Sequence, residues 1–150
     1  MKIALIGYGK MGKAIHEIAL QKNIDVALIV DIENRNSVTK EELQQVDVAI
    51  EFTSPHTAVE NIKWCFDADV PVVVGSTGWT TQLDDIKKYA IENNKAFLFA
   101  PNFSIGVNIF FEVNRYLAKI MNEHEEYDIN LEEIHHTEKK DAPSGTALHA

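Results

Sequence analysis

Short apolar runs alternate with longer amphipathic ones from the start of the chain to Ala100. Lys2–Ile6, Ile24–Val30, Val46–Phe52, Pro71–Gly75 and Ala96–Ala100 are mostly rich in Val and Ile and show little alternation. Continuous apolarity of that kind is expected of parallel strands covered on both faces. Between them, Met11–Lys22, His56–Ala68 and Thr81–Asn94 read as helices. In the second, Val59, Ile62, Lys63 and Phe66 recur at spacings of three and four and predict a buried stripe. Glu33–Lys40 is polar and reads as a loop. Strands alternating with helices predict βαβ units, and so an α/β fold with a Rossmann-like, doubly wound parallel sheet.

After Ala100 the texture changes. Pro101-Asn102-Phe103-Ser104 predicts a turn, and an apolar helix follows over Ile105–Met121. Tyr127–His136 alternates like a strand, with Tyr127, Ile129 and Leu131 on one face. The shift in composition marks a boundary. Residues 1–103 are expected to form one domain of that α/β class, and 104–150 to begin a second, α+β domain, incomplete as given.

Composition narrows the classes. The chain has 150 residues, 45% hydrophobic and 25% charged, which is globular. Its net charge is −9, from 23 acids against 14 bases, which argues against a nucleic-acid partner. Any anionic ligand must be held by a local group of donors. The lone cysteine, Cys65, fits a reducing compartment and reads as a buried structural thiol. No apolar run reaches the length of a membrane span, and the apolar start is too short for a signal peptide. These features predict a cytoplasmic protein with no membrane partner.

Gly7-Tyr8-Gly9-Lys10-Met11-Gly12 is a G-x-G-x-x-G turn between the first strand and the first helix. Gly7 permits the tight turn, Gly9 lets backbone approach a pyrophosphate, and Gly12 lets helix and strand pack closely. Asp31 ends the second strand, where an acid accepts from a ribose hydroxyl. Lys10 and Arg35 lie near enough in sequence to offer counter-charge, so NADH and NADPH both stay open as cofactors. Gly75-Ser76-Thr77-Gly78 follows the fourth strand, and its small residues let a nicotinamide or substrate approach.

His135-His136-Thr137-Glu138-Lys139-Lys140 gathers two imidazoles and two ammonium groups. Such groups suit proton transfer near neutral pH. Adjacent histidines also suit a metal, but none of the usual zinc spacings accompanies them and the nearby lysines repel a cation, so no metal is expected. Asp141-Ala142-Pro143 breaks the strand, and Ser144-Gly145-Thr146 opens a helix. Its first amides and hydroxyls suit a carboxylate, and Ser144 also suits a plain N-cap. The glycine turn and the histidine–lysine cluster are expected to share one cleft.

At this point the residues closely resemble the dihydrodipicolinate reductase (4-hydroxy-tetrahydrodipicolinate reductase) family over essentially the whole chain. His135–Ala147 resembles the family signature H-H-x-x-K-x-D-A-P-S-G-T-A, and Glu51–Pro55, Val74–Trp79 and Ala100–Asn108 agree. The resemblance implies His135 as proton donor/acceptor and Lys139 as second proton donor, with Lys140 on a variable position. It implies substrate-carboxylate contacts from His136, Gly145 and Thr146, supported by Ser144 and Thr77. It implies cofactor contacts from Gly7, Tyr8, Gly9, Lys10, Met11, Asp31, Gly75, Ser76, Thr77, Ala100, Pro101, Asn102 and Phe103, with Phe52 and Thr53 along the adenosine or nicotinamide path.

The implied reaction is NAD(P)H-dependent reduction of a small dicarboxylate in lysine and diaminopimelate synthesis, in a homotetramer. Two departures stand out. Many relatives carry one more residue in the glycine loop, G-x-x-G-x-M-G. Relatives also run on past the signature, whereas this chain stops at Ala150, so exposed apolar faces and poor folding are expected of it. A diaminopimelate or homoserine dehydrogenase would share the Rossmann start but not the signature. The rival of another class is a non-catalytic NAD(P)H-binding or regulatory module.

Overall fold

A computed structural model of the chain describes residues 1–135, Thr137 and 143–149. It divides into two compact units, Met1–Ala100 and Pro101–Ala150. The first contains five strands: β1 (Lys2–Ile6), β2 (Asp25–Val30), β3 (Val48–Glu51), β4 (Val72–Val74) and β5 (Phe97–Phe99). All four pairings are parallel, in the order β2-β1-β3-β4-β5. Parallel neighbours require crossovers. These run through α1 (Lys10–Gln21), α2 (Lys40–Leu43), α3 (Ala58–Asp67) and α4 (Leu83–Glu92), the last preceded by a 3-10 turn at Thr80–Gln82.

Successive residues of a strand face opposite sides, and β1 is buried on both. Ile3 and Leu5 pack with Ala19 of α1. Ala4 and Ile6 join the larger cluster with Ile62 and Phe66 of α3, Val72 and Val74 of β4, and Ile86 of α4. This two-sided cover accounts for the lack of alternation in β1, whereas the edge strands β2 and β5 leave Asp25, Ala27 and Leu98 exposed.

Three helices end in the same way. Asn23, Asp69 and Asn94 take positive φ of 53°, 59° and 51°. The next amide then bonds back into the last turn: Ile24 to Ala19, Val70 to Cys65 and Lys95 to Ala90, at 2.8, 2.9 and 2.8 Å. This is the Schellman arrangement, and each instance leads within three residues into the next strand. Short polar side chains tolerate the left-handed conformation better than most, so Asn and Asp serve where Gly is commoner.

Two expectations on the helices need correction. In α3 the buried residues are Ala58, Asn61, Ile62, Cys65 and Phe66, and Lys63 is exposed. The spacing located the stripe, but a lysine at its edge keeps its ammonium in water. The four-residue α2 was not anticipated, because a single turn is too short to show a period. A reciprocal capping box between Thr39 and Glu42 sets it.

In the second unit, α5 (Ile105–Met121) begins at Ser104, whose Oγ accepts from the Val107 amide. A short helix, α6 (Gly145–His149), follows later. No residue of α5 is buried, and Ile105, Ile109, Val113, Tyr116 and Leu117 are exposed. The strand expected over Tyr127–His136 is not formed at residues 127–135, and its last residue lies outside the described set. Tyr127, Ile129 and Leu131 are exposed instead. Alternation specifies a face, but a strand exists only where another strand takes up its amides and carbonyls, and none does so among the described residues.

Candidate functional site

Strand order reverses between β1 and β3, the place where an open parallel sheet leaves a crevice beyond its carboxyl edge. A cleft of about 630 Å³ lies there. Three loops line it: Gly7–Gly9 after β1, Asp31–Asn36 after β2, and Phe52–Thr57 after β3, with Glu60 and Asn61 from α3.

The glycine turn is forced by close approach. Gly7 has φ of +97°, and a Cβ on it would stand 2.0 Å from the Phe52 carbonyl oxygen. A Cβ on Gly12 would stand 2.1 Å from the Gly7 carbonyl oxygen. Gly9 differs, since a Cβ there would meet nothing within 4 Å. Gly9 is the N-cap of α1 and supplies no side-chain acceptor. The first amides of α1 are thus left bare beside the cleft, an arrangement suited to phosphate.

Asp31 and Arg35 face the same space. Asp31 Oδ1 accepts from the amides of Glu33 and Asn34 at 2.9 and 3.2 Å, which fixes the carboxylate at the loop's start. The Arg35 guanidinium lies 3.8 Å over the Trp64 ring, its Nε donates to Asn61 Oδ1 at 3.1 Å, and NH2 lies 3.8 Å from Glu60. Stacking and hydrogen bonding hold a cation four residues from the acid. Tyr8 sits in the turn, with its hydroxyl 2.7 Å from His16 Nδ1.

The cleft therefore brings together Gly7, Tyr8, Gly9, Asp31, Phe52 and Thr53, six of the residues singled out from sequence. Lys10, Met11, Gly75, Ser76 and Thr77 lie outside its lining, and Lys10, Met11 and Thr77 are exposed. The Phe52 ring lies against Gly75, where a Cβ would come 2.0 Å from it. Ser76 turns inward: it is buried, and its hydroxyl bonds Glu51 and the Thr53 amide. Ala100 follows β5 at the end of the first unit. Pro101, Asn102 and Phe103 belong to the second, where the Asn102 carbonyl accepts from Asn108 Nδ2 at 3.0 Å.

In the second unit, His135 Nε2 lies 2.9 Å from Glu133 Oε2. Glu133 Oε1 accepts from the Ser144 amide at 2.9 Å. Ser144 is buried, and its Oγ accepts from the Ala147 amide at 3.0 Å, capping α6, whose first turn holds Gly145 and Thr146. Hydrogen bonds from the Ser144 side chain, from His135 and from the Ser144 backbone hold the Glu133 carboxyl well below its usual range, at about 2. Glu133 thus joins the imidazole to the serine cap, a role missed in the sequence. The available signal was its place two residues before His135. His136 and Lys139 lie outside the described residues.

Elsewhere, burial pushes the Cys65 thiol up to about 12, with a further rise from the nearby Glu51 charge, so it is no nucleophile at neutral pH. Among the described residues there is no group of three His, Cys, Asp or Glu that could hold a metal ion, and no helix long and apolar enough to cross a membrane.

The parallel sheet, the glycine turn and the switch-point cleft define the amino-terminal unit as a nucleotide-binding domain of the Rossmann type. Residues 1–103 match the family model for the dihydrodipicolinate reductase N-terminus, and residues 106–150 that for its C-terminus. The chain belongs to the dihydrodipicolinate reductase family.

Among its relatives, the 4-hydroxy-tetrahydrodipicolinate reductase of Christiangramia forsetii is 45% identical over 152 residues, covering 99% of this chain and 61% of the relative. That of Methanocaldococcus jannaschii is 46% identical over 119 residues, covering 75% and 42%. A dipicolinate-bound dihydrodipicolinate reductase from Paenisporosarcina sp. TG-14 is 29% identical and superposes with a TM-score of 0.71, covering 99% of this chain and 63% of that structure. The chain thus spans about three fifths of the length of the first relative and of that structure.

Proposed function

We propose that the chain carries the cofactor-binding part, and the start of the substrate-binding part, of an NAD(P)H-dependent reductase. The reaction is reduction of 4-hydroxy-tetrahydrodipicolinate, with loss of water, to tetrahydrodipicolinate in lysine and diaminopimelate biosynthesis. The observation that carries this reading is the switch-point cleft, with a bare helix terminus at one wall and Asp31 and Arg35 at another. On this reading residues 1–103 are the dinucleotide domain, and 104–150 begin the domain for substrate and assembly.

The residues of the cleft fit a dinucleotide. The α1 amides and Gly7–Gly9 take the pyrophosphate, with Tyr8, Lys10 and Met11 beside it. Asp31 accepts from a ribose hydroxyl, while Arg35 suits a 2′-phosphate, so both NADH and NADPH are accommodated. Phe52 and Thr53 line the path onward, and Gly75, Thr77, Ala100, Pro101, Asn102 and Phe103 complete the contacts, with the Ser76 side chain turned inward to support that loop from behind. The cofactor supplies a hydride when bound.

His135 handles the proton, with its ring oriented by Glu133, and Lys139 is the second proton donor. His136, Thr77, Ser144, Gly145 and Thr146 hold the substrate carboxylates. With Ser144 Oγ committed to the α6 cap, Gly145 and Thr146 carry more of that contact. A homotetramer in the cytoplasm completes the proposal, with no nucleic-acid or membrane partner. The apolar residues exposed on α5 give the assembly a surface, and the lone Cys65 fits a reducing compartment.

The test is NAD(P)H oxidation with enzymatically generated substrate, in a polypeptide spanning the length of the relatives. His135→Gln and Lys139→Met should abolish most turnover and keep NADH affinity. Lys139→Met should also raise the substrate KM, because it removes a charge-assisted contact to the dianion. Tight NADH binding without turnover in the unaltered protein would leave a cofactor-binding module in place of a reductase.

A further inference from the structure

Glu51 closes β3 and is the only charged side chain among the buried described residues. Its two oxygens differ. Oε1 accepts from the Thr53 hydroxyl, from the Thr53 amide at 3.1 Å and from the Ser76 hydroxyl at 3.0 Å. Oε2 is buried and has no hydrogen-bond partner among the described residues. A buried oxygen without a partner opposes folding, and an apolar residue would extend the core pattern of β3 at lower cost. A local rule broken inside an otherwise consistent sheet points to a demand other than stability.

The network around Glu51 shows what that demand is. Arg35 Nε donates to Asn61 Oδ1 at 3.1 Å, and Asn61 Nδ2 donates to Thr53 Oγ1 at 3.3 Å. The Thr53 hydroxyl donates to Glu51, and the Ser76 hydroxyl donates to the same oxygen while accepting from the Thr53 amide. Every donor along this path points toward the carboxylate, from a cation at one end to an anion at the other. Such a chain polarises itself and holds its members in one arrangement. It joins the loop after β2, the helix α3, the loop after β3 and the loop after β4. Arg35, Asn61 and Thr53 all line the cleft, whereas Glu51 and Ser76 lie behind it.

We propose that Glu51 is a positioning residue, the buried anchor that sets the loops after β3 and β4 against each other. Through Thr53 and Asn61 it also fixes the Arg35 guanidinium, and so determines how tightly the cleft holds a dinucleotide. The inference rests on the cofactor reading given above.

The experiment is a fluorescence titration of the chain with NADH, run well below the Tm of every protein compared. Glu51→Gln keeps the size of the side chain and removes its charge, and NADH affinity should fall about tenfold. Ser76→Ala removes one donor, leaves the carboxyl in place and guards against failure of the first variant to fold; affinity should fall about threefold. The double variant should be no weaker than Glu51→Gln alone, because Ser76 acts through Glu51. Hydrogen exchange at the Thr53 amide should quicken in both single variants.

A purely structural Glu51 would lower Tm and leave the affinity of the folded protein unmoved, and that result overturns the proposal. Effects that simply add in the double variant overturn it too. A wild-type chain that binds no NADH sinks the cofactor reading, and the role of Glu51 with it. Wild-type binding matched by both variants sinks the anchor alone.

Discussion

Replacing Gly12 with alanine sets two effects against each other. Alanine is the better helix former, and Gly12 lies in the first turn of α1, so propensity favours the variant by at most about 1 kcal/mol. Against this, the new Cβ would stand 2.1 Å from the Gly7 carbonyl oxygen and 3.1 Å from its carbon. Both are backbone atoms of the turn, and Gly7 is itself pressed against the Phe52 carbonyl, so neither side can give way by a rotamer change. The start of α1 must move by over an ångström.

Overpacking of this kind costs about 1–3 kcal/mol, and a rigid neighbour places it at the upper end. The net is a loss of about 1–2 kcal/mol, which lowers Tm by about 3–6 °C in a chain of this size. Gly9→Ser is the matched control. Its Cβ meets nothing, its backbone is already extended as an N-cap requires, and serine caps at least as well as glycine. Its Tm should hold or rise slightly. Its hydroxyl would occupy a first-turn amide that the pyrophosphate needs, and NADH affinity should fall about tenfold. Calorimetry and NADH fluorescence on the two variants decide the matter. A Gly12→Ala protein that melts at or above wild type, or a Gly9→Ser protein that binds NADH as well as wild type, refutes this division between packing glycine and phosphate glycine.

Other consequences can be checked separately. Thr39→Ala removes the capping box of α2 and should cost about 1 kcal/mol by urea unfolding, with no effect on NADH affinity. The Cys65 thiol is raised from 9.0 to about 12, so the unfolded chain releases its proton first and stability should fall as pH climbs from about 9 toward 12. Cys65→Ala should flatten that part of the curve, and the native thiol should resist a disulfide reagent at pH 8. Glu133 is depressed from 4.5 to about 2, so its contribution is present above about 4.5 and is lost as pH falls toward 2. A carbon-13 titration of its carboxyl with a midpoint in the ordinary range would contradict the bridge between His135 and Ser144.

Much of the amino-terminal unit was legible from local rules. The bounds of β1 match the expected residues, as do those of α5 in the second unit, and the other four strands of the sheet differ by a residue or two at their ends. Val- and Ile-rich runs buried on both faces, a glycine turn between strand and helix, and an acid at the end of β2 are short-range signals. Each depends on residues within one or two turns of chain. Gly7, Gly9 and Asp31 could therefore be expected around a common cleft before any coordinates, and they line one. The His135–Ala147 signature likewise carried the family resemblance as a contiguous string.

Other properties depend on what the folded chain brings alongside. Alternation at Tyr127, Ile129 and Leu131 could not supply the neighbouring strand that would make the segment a strand. Ser76 looked like a loop residue facing a ligand, yet its hydroxyl turns inward to Glu51, 25 residues earlier in the chain. Asn61 carried no signal in the sequence, and only the packing of α3 over the sheet joins it to Arg35 and Thr53. Periodicity and capping are properties of neighbouring residues and can be read in one dimension. Which hydroxyl meets which carboxylate depends on strand order and on which backbones come within contact, and those were settled only when the sheet assembled.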